Sequence, residues 1–228
     1  MKYELQDFKI NVSNLEIKCR PWTSLEERKY ISNKSESTTI EDLVRNMILP
    51  NIEYQPMTLD EFKYLAFKMR ALSVNPALSF NYQCDGKNGC QRTLDQEADL
   101  DDLLHIQESS LQEEKTIQEN DIEVTLRRIP TKELMLKVLA EKDPAEQKYL
   151  EFLASIKKVK YKNETYETFT FDELKEFFDS VPSSVFQPLY TKFFDIKGHL
   201  RVFKKCICPI CKKETIVTFD GTNPLDFL

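Results

Sequence analysis

Two pairs of cysteines, far apart in the chain, constrain its fold more than any other feature of the sequence. Cys208 and Cys211 are separated by Pro-Ile, a spacing that zinc sites often use, and the proline helps to set a tight turn. Cys84 and Cys90 enclose a loop of five residues that holds two of the chain's four glycines, which permit the positive φ angles that such a loop needs. Because zinc in structural sites takes four soft ligands, the pattern predicts one Zn²⁺ ion bound by Cys84, Cys90, Cys208 and Cys211.

The segments around the two pairs are similar to each other, which favours a shared site. Each has an aromatic-containing strand, a cysteine-bounded loop and a polar exit strand: FNYQC with CQRTLD, and RVFKKC with CKKETIVTFD. Four sulfur ligands leave no position on the ion for water or substrate, so the site is expected to be structural and not catalytic. Residues 77–100 and 199–228 would then form one zinc-ribbon-like module that loses stability without metal.

Other interpretations of the cysteines stay open. Cys19 fits a reduced core thiol because it continues an apolar alternation, whereas lysines flank Cys208 and Cys211 and indicate an exposed turn. Cys206 competes with Cys208 for the fourth ligand position, and the spacing favours Cys208. A thiol oxidoreductase that uses Cys208 and Cys211 is a third interpretation, since redox pairs share this spacing.

The rest of the sequence predicts an α+β fold, with a helical bundle-like body and short β-hairpins. Residues 1–76 are expected to form a hairpin over residues 8–19 followed by helices, and residues 101–198 a mostly helical insertion. The helices of the first part are expected after a capping box at Thr23-Glu26 or Ser24-Glu27, from Thr39 to Pro50, and after a capping box at Thr58-Glu61. The last of these carries an apolar stripe of Phe62, Leu65, Ala66, Met69 and Leu72.

The second half of the chain is expected to be mostly helical. Residues 99–119, rich in Gln and Glu, are expected to be partly mobile, and residues 121–129 to form a strand that Pro130 ends. Helices are expected to begin at Thr131, Asp143 and Thr170, with Pro182 separating the last from another apolar stretch and Gly198 as a C-cap. The apolar end of the C-terminal segment is expected to dock on the body.

Composition excludes several classes of function. The net charge of −6 argues against broad nucleic-acid binding, which needs a cationic surface to release phosphate counterions. Four glycines cannot build a glycine-rich phosphate loop or a dinucleotide turn, and neither His105 nor His199 lies beside a nucleophile motif. No run of about 18 apolar residues occurs, so we expect a cytosolic protein that does not span a membrane. We expect Asp99, Asp101 and Asp102 to form a solvated acidic face. His105 is expected to lie at the edge of a helix.

Three parts of the sequence carry a resemblance to a known family: CRPWTSLEERKYI at residues 19–31, MTLDEFKYLAFKMRALSVNPALSFNYQC at residues 57–84, and the two cysteine pairs. Together they resemble the baseplate hub subunit and hub-assembly proteins of T-even-like contractile-tailed bacteriophages. The resemblance implies a non-enzymatic protein that contacts other baseplate or tail proteins. It would be present in the host cytoplasm during assembly and in the tail baseplate of the virion. Whether it is a hub component or an assembly factor stays open.

A zinc-ribbon-like nucleic-acid-binding or transcription adaptor is the alternative function. Lysines next to Cys208 and Cys211, together with Arg127, Arg128 and Lys132, offer a local basic patch in an acidic chain. No aromatic residues are interleaved with these basic residues, as single-strand binding would favour. Nucleic acid is therefore the less favoured partner.

Overall fold

The computed structural model describes residues 6–33, 44–73, 77–84 and 89–219. Over these ranges the strands form four antiparallel sheets, with helices between them. The fold is therefore α+β, but the prediction of a helical bundle-like body is wrong, because four sheets are distributed over the described ranges. No helix in these ranges is both long enough and apolar enough to cross a membrane.

The N-terminal hairpin is confirmed. Strand β1 (Phe8–Val12) pairs with β2 (Leu15–Cys19), and Ser13 takes a positive φ of 53° in the tight turn between them. Alternate residues of both strands, including Cys19, are buried in the main core. Cys19 is thus a core thiol, and burial raises its pKa to about 12.

Two of the predicted capping boxes begin the helices of this first part. In α1 (Ser24–Asn33) the backbone N–H of Glu26 donates to Thr23 Oγ1 at 3.2 Å, and Thr23 N–H donates to the Glu26 carboxylate at 2.7 Å. Thr58 and Glu61 repeat this arrangement at 3.2 and 2.9 Å before α2 (Leu59–Ser73). The stripe on α2 is buried as expected up to Met69, whereas Leu72, in its last turn, is 58% exposed.

The segment from Thr39 to Pro50, expected to be an α-helix, has a different conformation in the part that the structure describes. Residues 39–43 lie outside the described ranges, and Val44–Ile48 form a π-helical turn followed by a 3₁₀ turn at Leu49–Asn51. Pro50 cannot donate a backbone hydrogen bond, so regular α-helical pairing is interrupted there. The Asn51 side chain donates instead to the Met47 carbonyl at 2.7 Å.

A four-stranded sheet lies at the centre of the second half, in the order β6-β7-β8-β9. Its strands are β6 (Lys115–Glu119), β7 (Ile122–Leu126), β8 (Ile156–Tyr161) and β9 (Glu164–Tyr166). Helices α4 (Lys132–Leu139) and α5 (Pro144–Ala154) connect β7 to β8, and α6 (Phe171–Ser180) and α7 (Ser183–Ile196) follow β9. The caps predicted at Thr131, Asp143 and Thr170 are confirmed, and Gly198 follows α7 with φ +78°.

Residues 99–119, expected to be partly mobile, instead contain regular elements. These are the short helix α3 (Leu100–Leu103), β5 (Leu104–Gln107) and β6. Leu103 and Leu104 are buried in a small second core with Phe67, Ala98 and Val202, so apolar anchors override the polar composition of this stretch. His105 therefore lies on a strand and not on a helix edge, stacked on Phe203 with ring centroids 4.1 Å apart.

The cysteine-bearing segments join at this second core. Strand β3 (Ala77–Gln83) pairs with β4 (Thr93–Asp99), while β10 (His199–Ile207) pairs with both β11 (Glu214–Thr218) and β5. Phe67 of α2 underlies both hairpins. The tail beyond residue 219 lies outside the described ranges, so its docking stays a prediction, as do the domain boundaries.

Buried charges meet at the start of α2. The Arg128 guanidinium donates to Glu61 at 2.8 Å, and both side chains are less than a tenth exposed. Lys197 lies 3.0 Å from Glu151 and also contacts Asp60. These pairs connect α2 to the residues after β7, to α5 and to the end of α7.

Candidate metal centre

The two cysteine hairpins end in equivalent turns. Cys84 N–H donates to the carbonyl of Arg92 at 2.9 Å, and Gln91 N–H donates back to the Cys84 carbonyl at 3.0 Å. Gln91 follows directly after Cys90 and has a positive φ of 56°.

The second hairpin repeats this pattern. Cys208 N–H donates to the Lys213 carbonyl at 2.8 Å, and Lys212 N–H donates back to Cys208 at 2.9 Å, with φ +60° at Lys212. Lys212 in turn follows Cys211. In both hairpins, then, the first cysteine ends the ladder and the second comes just before a left-handed residue, although the loops differ in length.

The turns bring four sulfur atoms together, and we call these the sulfur cluster: Sγ of Cys84, Cys90, Cys208 and Cys211. All four atoms lie within 4.8 Å of one another. The closest contacts cross between hairpins, from Cys84 to Cys211 at 3.5 Å and from Cys90 to Cys208 at 3.7 Å. With zinc–sulfur bonds of about 2.3 Å, a tetrahedron has sulfur–sulfur edges of about 3.8 Å, so the cluster has the size of a zinc site.

The same distances argue against disulfides. A disulfide needs sulfur atoms about 2.0 Å apart, and all six cysteines are free thiols in the structure. The contacts also join each cysteine of one hairpin to one of the other, whereas a redox pair would favour Cys208 with Cys211. The four sulfurs are gathered around one point, as a group that could hold a metal ion is.

Cys206 does not take part in the sulfur cluster. It lies opposite Thr215 in the ladder, is 3% exposed, and burial raises its pKa. Because side chains alternate along a strand, Cys206 and Cys208 share a face, but only Cys208 is at the turn where the four sulfurs meet.

Backbone donors favour the thiolate form at two of the four cysteines, Cys208 and Cys211. A hydrogen bond from the Lys213 N–H lowers the pKa of the Cys211 thiol. Burial acts in the opposite direction, but the Cys84 thiol lowers the pKa further, and the result is about 6. N–H groups of Cys211 and Ile210 lower the pKa of Cys208 as well. At Cys84, a hydrogen bond from the backbone N–H of Cys90 lowers the pKa of the thiol. Burial and the three neighbouring thiols outweigh this effect and raise the pKa to about 12. A metal ion would displace the protons that remain.

Two buried hydroxyls on the cysteine hairpins have no hydrogen-bond partner among the described residues. Tyr82 is 5% exposed and Thr215 is 8% exposed, and neither hydroxyl oxygen is satisfied. Tyr82 lies two residues before Cys84 on the same strand face, as Cys206 does before Cys208. Burial and then the charges of Cys206 and Cys208 raise the pKa of Tyr82. The unsatisfied donor of Tyr82, two residues before Cys84, fits a metal site whose outer groups stabilise sulfur charge.

Sequence reasoning had not singled out Tyr82 or Thr215. Period-two alternation through the cysteines was the available signal, because it places Tyr82 on the face of Cys84. The basic patch that the sequence offers for nucleic acid includes Arg128 and Lys132, but Arg128 is buried against Glu61, and Lys132 donates to the Leu49 carbonyl at 3.1 Å.

Comparisons with known proteins place the chain in a family. A family model described as T4 bacteriophage base plate protein matches residues 1–225. No curated protein and no solved structure matches the chain. Since the family match covers nearly the whole sequence, the chain belongs to the T4 bacteriophage base plate protein family, as a structural protein of the phage baseplate.

Proposed function

We propose that this protein is a non-enzymatic component or assembly factor of the baseplate hub, built around one structural zinc ion. Cys84, Cys90, Cys208 and Cys211 would hold the ion. The single observation that carries this proposal is the meeting of four sulfurs from two segments that are far apart in the chain. Family membership supports the baseplate role.

The ligand type favours zinc and a structural role. Four thiolates in tetrahedral order suit zinc or an iron–sulfur centre, and a single point shared by four ligands suits one zinc ion. When bound, the ion supplies a cross-link and no reactive position. The protein's own residues aim the sulfurs through the two turns and support them with backbone N–H groups.

The cross-link would stabilise a surface for assembly. It joins residue 84 to residue 211 and so closes a unit of residues 77–100 and 199–228 around the second core, with residues 101–198 as an insertion. A rigid unit of this kind loses little conformational entropy on binding. Its partners would be other baseplate or tail proteins, met in the host cytoplasm before the baseplate is complete.

Association with baseplate proteins tests the role. The metal-loaded chain is mixed with each baseplate and tail protein of the phage that encodes it, purified singly, and analysed by size-exclusion chromatography. We expect at least one stable complex. A chain that elutes alone in every mixture contradicts the proposed role.

A zinc-ribbon-like nucleic-acid or transcription adaptor is the second candidate. It is favoured by residues 201–213, which hold five basic residues and no acidic one. Titration of labelled single-stranded and duplex DNA at low and high salt separates the two functions, because phosphate contacts produce steep salt dependence. No binding at low salt excludes the adaptor.

A further inference from the structure

An exposed apolar patch lies on the C-terminal cysteine hairpin. Ile207, Ile210 and Ile216 are 65%, 50% and 55% exposed, and we call these three residues the isoleucine face. They are half of the six large apolar side chains that are exposed in the described ranges. Single exposed apolar residues are ordinary, but a group of them marks an interaction site.

The register of the ladder puts two of the isoleucines side by side. Ile216 pairs with Lys205, which lies two positions before Ile207 on the same strand. Paired residues of an antiparallel ladder point to one face, so Ile207 and Ile216 are diagonal neighbours on that face. Cys206 and Thr215, paired between them, are buried on the opposite face.

Within the part of the chain that the structure describes, these side chains do not pack into the fold. The inner face of the hairpin contributes Val202 to the second core, and the isoleucines contribute to neither core. Ile210 lies at the tip of the hairpin, between Cys208 and Cys211. The ladder and the turn therefore hold the isoleucine face in place before any partner arrives, which lowers the entropic cost of binding.

Three exposed cations lie along the hairpin that carries the isoleucine face, together with one exposed carboxylate, Glu214, which pairs with Ile207 in the ladder. Arg201, Lys205 and Lys212 are exposed, and Lys205 has Glu214 at 3.9 Å. Lys204 points the other way and pairs with Asp102 at 2.9 Å. The five basic residues and no acidic ones of positions 201–213 contrast with the net charge of −6 for the whole chain. The complementary surface is an apolar centre with an acidic rim.

A nucleic acid matches this face less well than a protein does. Phosphates would contact the cations but gain nothing from three isoleucines. Base stacking needs open aromatic faces, and Phe203 on the outer strand face is half-buried and stacked on His105.

We infer that the isoleucine face docks onto an acidic-rimmed apolar surface of another baseplate protein. This inference rests on the proposed function, and it names the surface and the chemistry of the partner.

The test compares variants in the binding assay with singly purified baseplate and tail proteins. The double variant Ile207→Ser/Ile216→Ser removes the apolar centre, and Lys205→Glu reverses a rim charge. Leu72→Ser is the matched control, because Leu72 is equally exposed at 58% but lies on α2. Metal content and circular dichroism of each variant verify that the fold is kept, and Lys205→Glu serves alone if the double variant does not fold.

We expect the double variant to bind at least about tenfold more weakly than the wild type, as loss of apolar anchors does. Lys205→Glu should slow association, with an effect that shrinks at high salt. Leu72→Ser should bind as the wild type does. If a baseplate protein binds wild type and all variants equally, the inference fails while the proposed function stands. Failure of the wild type to bind any of these proteins overturns the inference too.

Discussion

Cys84 and Cys208 occupy equivalent positions in two hairpins, each accepting a backbone hydrogen bond from a residue held at positive φ. The donors are Gln91 and Lys212. Such a φ is costly for residues with a Cβ, and glycine avoids this cost.

Replacement of Lys212 by glycine should therefore stabilise the metal-loaded protein. The gain should be about 1 kcal/mol, which raises Tm by about 2–4 °C in a chain of this size. Thermal unfolding measures it. Lys213→Gly is the matched control, since its φ is not positive, and it should lower Tm. Equal losses in both variants would show that the turn is not strained.

Loss of the Tyr82 hydroxyl should weaken metal binding without unfolding the protein. Tyr82→Phe removes a buried, unpartnered donor beside the sulfur cluster, and outer groups of metal sites typically contribute 10–100-fold in affinity. Competition with a chelator measures zinc affinity, and the thiolate-to-cobalt absorption of Co²⁺-loaded protein reports on the sulfurs. Tyr166→Phe, at an exposed tyrosine, is the control. Unchanged affinity and spectrum in Tyr82→Phe would contradict this role.

The Glu61–Arg128 pair should be a major determinant of stability in the main core. Glu61→Gln keeps the shape and the cap but leaves a buried guanidinium without a counter-charge, which should cost about 3–5 kcal/mol. Urea unfolding provides the free energy. Lys9→Gln, which breaks the exposed pair with Glu16, should cost at most about 1 kcal/mol. Similar small losses in the two variants would show that the buried pair is dispensable.

Acid should remove the stabilising effect of Glu26. Burial raises the pKa of this carboxyl, but hydrogen bonds, first from Arg20 and then from Thr23, lower it to about 2 from an ordinary value of 4.5. A depressed folded-state pKa means that the stabilisation is complete above the ordinary value and is lost as pH falls toward the folded value. Wild type and Glu26→Gln should thus differ in unfolding free energy at pH 6 and converge near pH 2.

The control for that experiment is Glu27→Gln, one residue further along α1. It should differ little from wild type at either pH. A gap between wild type and Glu26→Gln that stays constant with pH would show that the carboxylate charge is not what stabilises this end of the chain.

Local signals predicted much of this structure. Helix caps and tight turns are determined by residues only a few positions apart, so the sequence alone predicts them. Examples are Thr58 with Glu61, Asp143 with Pro144, and the alternation around Ser13. The approach of the two cysteine pairs could also be anticipated, because zinc ligands require it.

Long-range pairing could not be predicted in the same way. Strand β8 carries three lysines, Lys157, Lys158 and Lys160, so its two buried apolar residues do not produce a recognisable strand pattern. It forms a strand because it pairs with β7, from which two helices separate it in the sequence. Strand β5 is only four residues long and depends on β10. The role expected for the Tyr82 hydroxyl depends on the nearby sulfurs, which are brought together only in the folded protein. Such features arise from tertiary contacts that override local preference.

Metal content of purified protein tests the central claim most directly. Elemental analysis should find one zinc per chain in wild type and in Cys206→Ala, and none in either Cys84→Ser or Cys211→Ser, because each hairpin supplies half of the ligands. Full zinc occupancy in Cys84→Ser alongside its loss in Cys211→Ser, or no zinc in the wild type, would contradict a single ion shared by the two hairpins.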